Sequence, residues 1–319
     1  MNVHAIGLEQ FGGPEVLHQV EVPQHEPGAG QVRIAVAAAA VNPTDATLRS
    51  GGRAAQFAGL PTPYVPGMDL AGTIAAVGAD VDRRLRVGDE VIALVLPFAP
   101  TRGAYTTSII VDQRSVVHAP AGASLPQAST LLLNAVTVGL ALDALQLEAG
   151  QSIAITGAPG AVGSYATAIA KQRGLIVVAD SRSGEEDSVR VRGADAVLAR
   201  GDGFADELRR YFPGGVAGLI DGAVLNEKAL PGVADDGAVA SLKGWAGPTE
   251  RGIRVHTISS FGSVTDTARL EQARDLAEHG VLDLRVAELL PALAASEAHR
   301  KLAAGGLDGR LVLDLTTLH

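Results

Sequence analysis

The hydrophobic pattern changes character near residue 125. Before it, apolar runs are short and bounded by turns: residues 31–41 (QVRIAVAAAAV), 70–77 and 90–96. The first of these opens with the alternation of a half-buried strand. Turn signals lie between and around them, among them Gly12-Gly13-Pro14, Pro27-Gly28, Asn42-Pro43 and Gly88-Asp89. Irregular β structure with a few helical turns is expected here. After it, an apolar helix-compatible stretch at 125–147 opens a different rhythm. Strand-like runs at 152–156 (SIAIT), 175–179 (LIVVA), 196–198, 218–221 (GLID), 238–242 (AVASL) and 253–259 (IRVHTIS) follow. Helical patterns at 164–173, up to 192 and at 205–211 lie between the first four of them; Gly174 and Gly193 stop the first two. Such alternation predicts parallel β-α-β units and a doubly wound sheet. Helical patterns at 266–278 and 296–304 and a strand at 310–315 (RLVLDL) come after the sixth strand. That tail is expected to return to the first domain. The expected class is α/β: a β-rich domain of residues 1–121 plus 262–319, and a doubly wound domain of residues 122–261.

A length of 319 residues suits about two domains. The 26 Lys and Arg against 35 Asp and Glu leave a net charge of −9, which argues against nucleic-acid or anionic-membrane surfaces. With no cysteine, disulfides, thiolate nucleophiles and thiolate-bound zinc or iron–sulfur clusters are excluded. The eight histidines stand singly, without H-E-x-x-H, so no metal is expected. Residues 119–142 and 151–170 carry no Asp, Glu, Lys or Arg, but Pro and Gly interrupt both. They read as buried elements rather than membrane spans. The opening shows no basic region followed by an apolar one, and the expected compartment is the cytoplasm.

Between the first strand and helix of the second domain lies T-G-A-P-G-A-V-G, residues 156–163. It reads as G-x-G-x-x-G with Ala158 in the first glycine position. A small residue there permits the tight turn, Gly160 lets backbone approach a pyrophosphate, and Gly163 lets helix and strand pack closely. Ala161 and Val162 open the helix, whose free N–H groups and dipole favour an anion. Past the second strand come Asp180, Ser181, Arg182 and Ser183. Two readings stand: an acid for the ribose hydroxyls of NAD, or an arginine for the phosphate of NADP. The compact donor set Ser181-Arg182-Ser183 turns the balance to NADPH. No Gly-Lys-Ser/Thr follows the turn, no G-x-S-x-G occurs, and no Tyr is followed four residues later by Lys.

Further motifs stand in order: V-N-P-T-D at 41–45, R-S-G at 49–51, P-Y-V-P-G-M-D-L-A-G at 63–72, V-G-D-E-V at 87–91, and G-A-Y at 103–105. A-H-R at 298–300 and G-R-L-V-L at 309–313 complete the set. With these the chain resembles, over essentially its whole length, the zinc-free quinone oxidoreductase branch of the medium-chain dehydrogenase/reductase superfamily. The resemblance implies a split, GroES-like catalytic domain and a Rossmann domain, with the cofactor in the cleft between them. It also implies hydride transfer from NADPH to a quinone or an α,β-unsaturated carbonyl compound, and a homodimer formed through the last Rossmann strand.

Asn42 and Met68 stand where zinc-dependent relatives place metal ligands. Asn42, Thr47 and Thr137 are the candidate catalytic residues. The family segment matching Asn42 faces the nicotinamide, so its amide is expected to donate to ring or acceptor oxygen. Thr47 stands where relatives often carry tyrosine. Thr137 either lines the nicotinamide pocket or sits mid-helix, Asp45 either caps a helix or joins the site, and Tyr64 either packs or touches substrate. Thr44 and Asn134 are further polar candidates. An enoyl-thioester reductase and a non-enzymatic NADPH-binding protein are the alternative readings. The expected partner is a small molecule.

Overall fold

The computed structural model describes residues 2–319. Along the chain run β1 (Asn2–Gly7), β2 (His18–Pro23), β3 (Gln31–Ala40), α1 (Pro43–Arg49), β4 (Asp69–Val77), β5 (Glu90–Leu94), β6 (Ser108–Asp112) and β7 (Val116–His118). Next come α2 (Leu125–Ala128), α3 (Leu132–Leu145), β8 (Ser152–Thr156), α4 (Ala161–Gln172), β9 (Ile176–Ser181), α5 (Glu186–Val191), β10 (Ala196–Ala199) and α6 (Phe204–Tyr211). The chain closes with β11 (Val216–Asp221), β12 (Val233–Ser241), β13 (Arg254–Thr257), α7 (Thr267–Glu278), β14 (Val286–Pro291), α8 (Ala295–Ala304) and β15 (Arg310–Asp314).

It divides into two compact units. One comprises residues 1–133, 261–278 and 284–319; the other comprises residues 134–260 and 279–283. The first is built on a seven-stranded sheet, β14-β15-β3-β4-β5-β7, with β6 also paired to β3. All its pairings are antiparallel except β14 with β15. Strand β3 is its centre: Val32, Ile34 and Val36 point into the apolar core, and the strand bonds to β15, β4 and β6. The second unit is a parallel sheet in the order β10-β9-β8-β11-β12-β13. That is the doubly wound arrangement with its order reversing beside β8. Ile153, Ala154 and Ile155 are fully buried, as a central parallel strand covered on both faces requires.

The strands of the second unit lie where their apolar runs predict. The apolar stretch after residue 124 differs from its expectation. It breaks between α2 and α3, where the Ser129 and Thr130 hydroxyls donate to the Pro126 and Gln127 carbonyls at 2.8 and 2.7 Å. Side chains that bond local carbonyls in this way compete with the helix ladder. The pair β1–β2 and edge strand β14 carry polar, exposed positions that hide them from a periodicity reading; Glu288 and Leu289 of β14 both face solvent.

Candidate functional site

The glycine turn joins β8 to α4 in the second unit. Gly157 takes a left-handed φ of +75°. A Cβ on Gly163 would stand 2.2 Å from the Gly157 carbonyl oxygen, so only glycine lets α4 approach this closely. Gly160 is the N-cap of α4, and no side chain caps the helix. The open helix terminus therefore fits an anionic group, and the Gly160 position fits close approach of a ligand to the backbone. Ala161 and Val162 are partly exposed on the first turn of α4. Ala158 differs: it is buried, and its N–H donates to Asp180 Oδ1 at 2.9 Å, so it packs the turn instead of offering a donor.

That bond decides what Asp180 can do. Its carboxylate is 1% exposed and also receives Arg200, with Nε 2.9 Å from Oδ2 and Nη2 3.2 Å from Oδ1. The Asp180 carboxylate raises the guanidinium pKa of Arg200. Three donors hold the acid against its own turn and strand. Ser181 is buried at the end of β9, whereas Arg182 and Ser183 are exposed just beyond it. The Arg182 guanidinium has no hydrogen bond or ion pair among the described residues. Arg200 was invisible to a motif reading, because it lies 20 residues past Asp180 on the neighbouring strand's exit.

In the first unit the family motifs converge on one buried polar cluster. Arg310 opens β15 and donates to Asn42 Oδ1 at 2.5 Å and to the Val41 carbonyl at 3.2 Å, and it lies 3.6 Å from Asp69 Oδ2. Asn42 Nδ2 donates to the Ala40 carbonyl and to Asp69 Oδ2, both at 3.2 Å. Arginine can only donate and a carbonyl can only accept, so the amide orientation is fixed by its partners. Asp69 Oδ1 accepts from the Leu133 N–H at 2.8 Å. Burial raises the pKa of Asp69, against the opposing pull of Arg310. Asn42 is 1% exposed and both its amide hydrogens are engaged. The expected role of its side chain as a donor to substrate gives way to a positioning role, holding the start of α1 against β4 and β15.

Asp45 is the other half of that turn. Its Oδ2 accepts from the Asn42 N–H at 2.8 Å, completing a helix-capping arrangement, and its Oδ1 accepts from the Gly67 N–H at 3.1 Å. Tyr105 donates its single hydroxyl proton to Asp45 Oδ2 at 3.2 Å. Tyr105 Oη also lies 3.3 Å from His299 Nε2. Burial pushes the Asp45 pKa up to about 7, despite its backbone donors. Burial and the Arg49 charge push His299 down to about 4. The signal for this cluster was present in the sequence: Asp69 and Arg310 are charges inside the apolar runs M-D-L-A and R-L-V-L.

Thr47 is exposed on α1 and donates to the Pro43 carbonyl at 3.0 Å. Thr137 lies mid-way along α3 within the second unit and is half-buried. Asn134, one turn earlier, is buried, and its Nδ2 has no partner among the described residues. Tyr64 stacks on Phe11 at 5.4 Å and tilts against Phe57 at 4.7 Å, so it is a packed aromatic. Beside it Phe57, Pro63, Pro97 and Arg102 line a small pocket. No group of three His, Cys, Asp or Glu side chains in metal-binding reach occurs among the described residues.

A mainly antiparallel seven-stranded sheet and a doubly wound parallel sheet occur in one chain, and known proteins share this pairing. Residues 28–121 match the alcohol dehydrogenase GroES-like domain. The chain is 29% identical to a quinone oxidoreductase of Pseudomonas aeruginosa, over 97% of this chain and 98% of the relative. It is 32% identical to a chloroplastic NADPH-dependent alkenal/one oxidoreductase of Arabidopsis thaliana, over 75% of this chain and 62% of that protein. Among solved structures, a mycobacterial protein complexed with NADPH superposes with a TM-score of 0.84 at 26% identity, covering 98% of this chain and 99% of that one. In sequence and fold the chain is similar to the zinc-free quinone oxidoreductases of the medium-chain dehydrogenase/reductase superfamily. It is an oxidoreductase, in a superfamily whose members use nicotinamide dinucleotides.

Proposed function

We propose that this chain transfers hydride from NADPH to a quinone or an α,β-unsaturated carbonyl compound, without a metal. The observation that carries the cofactor choice is the contrast at the end of β9. Asp180 is consumed by the Ala158 N–H and Arg200, while the exposed Arg182 guanidinium has no partner. A phosphate on the adenosine ribose meets a free cation there, and a bare ribose finds no free acid. The acceptor class rests on the relatives' activities.

Reduced nicotinamide supplies the hydride when bound. The chain's part is to hold the dinucleotide at the β8–α4 turn, through the Gly160 backbone and the α4 N-terminus. Asn42, Asp69 and Arg310 keep the segment before α1 rigid, and water delivers the final proton. A homodimer through the open edge of β13 is part of the same reading.

The test is titration with NADPH and NADH, followed by NADPH oxidation against quinones, enones and enoyl thioesters. Tighter NADPH binding is expected, with Arg182→Ala weakening NADPH far more than NADH. Equal or tighter NADH binding overturns the cofactor reading. Faster reduction of the thioesters transfers the acceptor to that class, and no turnover with any acceptor leaves only a binding protein.

A further inference from the structure

The chain has four lysines, at 171, 228, 243 and 301. Lys171 pairs with Asp195, Lys228 with Asp202, and Lys301 with Glu288 and Glu297. Lys243 has neither a hydrogen bond nor an ion pair among the described residues, in a protein of net charge −9. Surrounding chain withdraws its ammonium partly from water, which lowers its pKa. The residue as a whole is exposed, so its unpaired ammonium is open to an incoming ligand.

Its place in the sheet says which ligand. Thr156, Asp221, Ser241 and Thr257 are register neighbours at the carboxyl ends of β8, β11, β12 and β13. Lys243 follows Ser241 by two residues, so it stands on the rim where doubly wound sheets bind ligands. The loop that carries it is tied down on both sides of the lysine. The Trp245 N–H donates to Ser241 Oγ at 3.1 Å, and Thr257 Oγ1 donates to the Trp245 carbonyl at 3.3 Å. Gly244 makes the bend with φ +86°. The neighbouring acid, Asp221, is turned inward, bonded to Thr156 Oγ1 and to the N–H groups of Leu225 and Asn226. It leaves Lys243 to serve something from outside.

We propose that Lys243 binds the nicotinamide half of the dinucleotide, through the oxygens of its ribose and adjoining phosphate; this rests on the dinucleotide reading above. The adenosine end belongs at β9, beside Arg182. The pyrophosphate belongs at the β8 turn, and the remaining half runs the other way, over β11 and β12. Two strand spacings separate β8 from β12, about 10 Å. An ammonium with three donors at that distance meets the far ribose and phosphate, not the adenosine phosphate.

The experiment compares NADPH with its adenosine fragment, adenosine 2′,5′-bisphosphate, binding to the intact protein by calorimetry. Lys243→Met is expected to weaken NADPH about 10-fold (about 1.4 kcal/mol) while leaving the fragment's affinity and the melting temperature unchanged. Lys243→Arg is expected to restore most of the loss, and Arg182→Ala to weaken both ligands. Unchanged NADPH affinity in Lys243→Met overturns the proposal and leaves the dinucleotide reading intact. An equal loss for the fragment also overturns it, placing Lys243 at the adenosine end. Wild-type protein that binds neither ligand removes the dinucleotide reading and this inference together.

Discussion

Arg200 and Asp180 form a closed fork at the exit of β9: the guanidinium meets both carboxylate oxygens of an acid that is 1% exposed. The pair engages an aspartate at the end of the Rossmann strand where ribose-binding acids stand. It also makes cofactor preference adjustable from a residue outside the usual motif. Arg200→Met is expected to free the carboxylate, which then accepts from a ribose diol and repels a phosphate. The ratio of NADH to NADPH dissociation constants should fall about 10-fold, the scale of one charge-assisted bond. Fluorescence titration with both cofactors reads this directly, and an unchanged ratio would show that Asp180 plays no part in selection.

The Asp45–Tyr105–His299 chain predicts an unusual pH profile of stability. Asp45 keeps its proton in the fold up to about pH 7, whereas an unfolded aspartate releases it near pH 4. Between those values the native state binds the extra proton, so stability falls as pH rises. His299 has the opposite sign. It stays neutral in the fold down to about pH 4, while the unfolded side chain protonates below about 6.5. Its contribution is lost as pH falls through that window. The two slopes oppose one another from about pH 4 to 6.5. Asp45→Asn should leave a stability that rises with pH there, and His299→Gln one that falls from about pH 4 to 7. Urea unfolding across this range distinguishes the slopes; identical profiles in both variants would refute the assignment.

Asn42 and Thr47 lie five residues apart and should behave differently. Asn42→Ala removes the acceptor of Arg310 and a donor to Asp69 inside a buried cluster. A loss of about 1–3 kcal/mol is expected in denaturant unfolding, the cost of leaving buried polar groups unpaired. Thr47 is exposed and bonds only its own helix, so Thr47→Ala should change stability by no more than about 0.5 kcal/mol. If Asn42→Ala kept full stability but lost turnover, the amide would serve chemistry rather than packing.

The second unit was legible because central parallel strands are apolar on both faces and the glycine turn has fixed spacing. Residues 152–156 read as β8 itself, and Gly157 and Gly163 stand where the backbone demands them. The first unit was read mainly through motifs whose meaning was hidden. Asn42, Asp45, Asp69, Tyr105, His299 and Arg310 come from five separate stretches, and only folding shows that they form one hydrogen-bonded cluster. What engages Asp180 is Arg200, a contact across neighbouring strands that linear spacing does not encode. Lys243 escaped for a similar reason: its lack of a partner becomes visible only when every other lysine is seen paired.

The glycine turn offers the sharpest separation of fold from binding. A Cβ at residue 163 would lie 2.2 Å from the Gly157 oxygen and 2.6 Å from the Ala158 Cα, both backbone atoms that cannot swing away. Gly163→Ala must push α4 off β8, and overpacking of this kind costs about 1–3 kcal/mol. At residue 160 the nearest atom is the same Gly157 oxygen at 3.2 Å, and the backbone has φ −68° and ψ 167°, open to any residue. Gly160→Ala asks that oxygen to give by a few tenths of an ångström, so it should cost less stability than Gly163→Ala. Its methyl group nevertheless occupies the surface that a pyrophosphate must approach, so NADPH affinity should fall about 10-fold or more. Gly163→Ala is expected to lower both melting temperature and affinity, Gly160→Ala chiefly affinity. Wild-type affinity in a stable Gly160→Ala protein would mean that the phosphates do not pass over this turn.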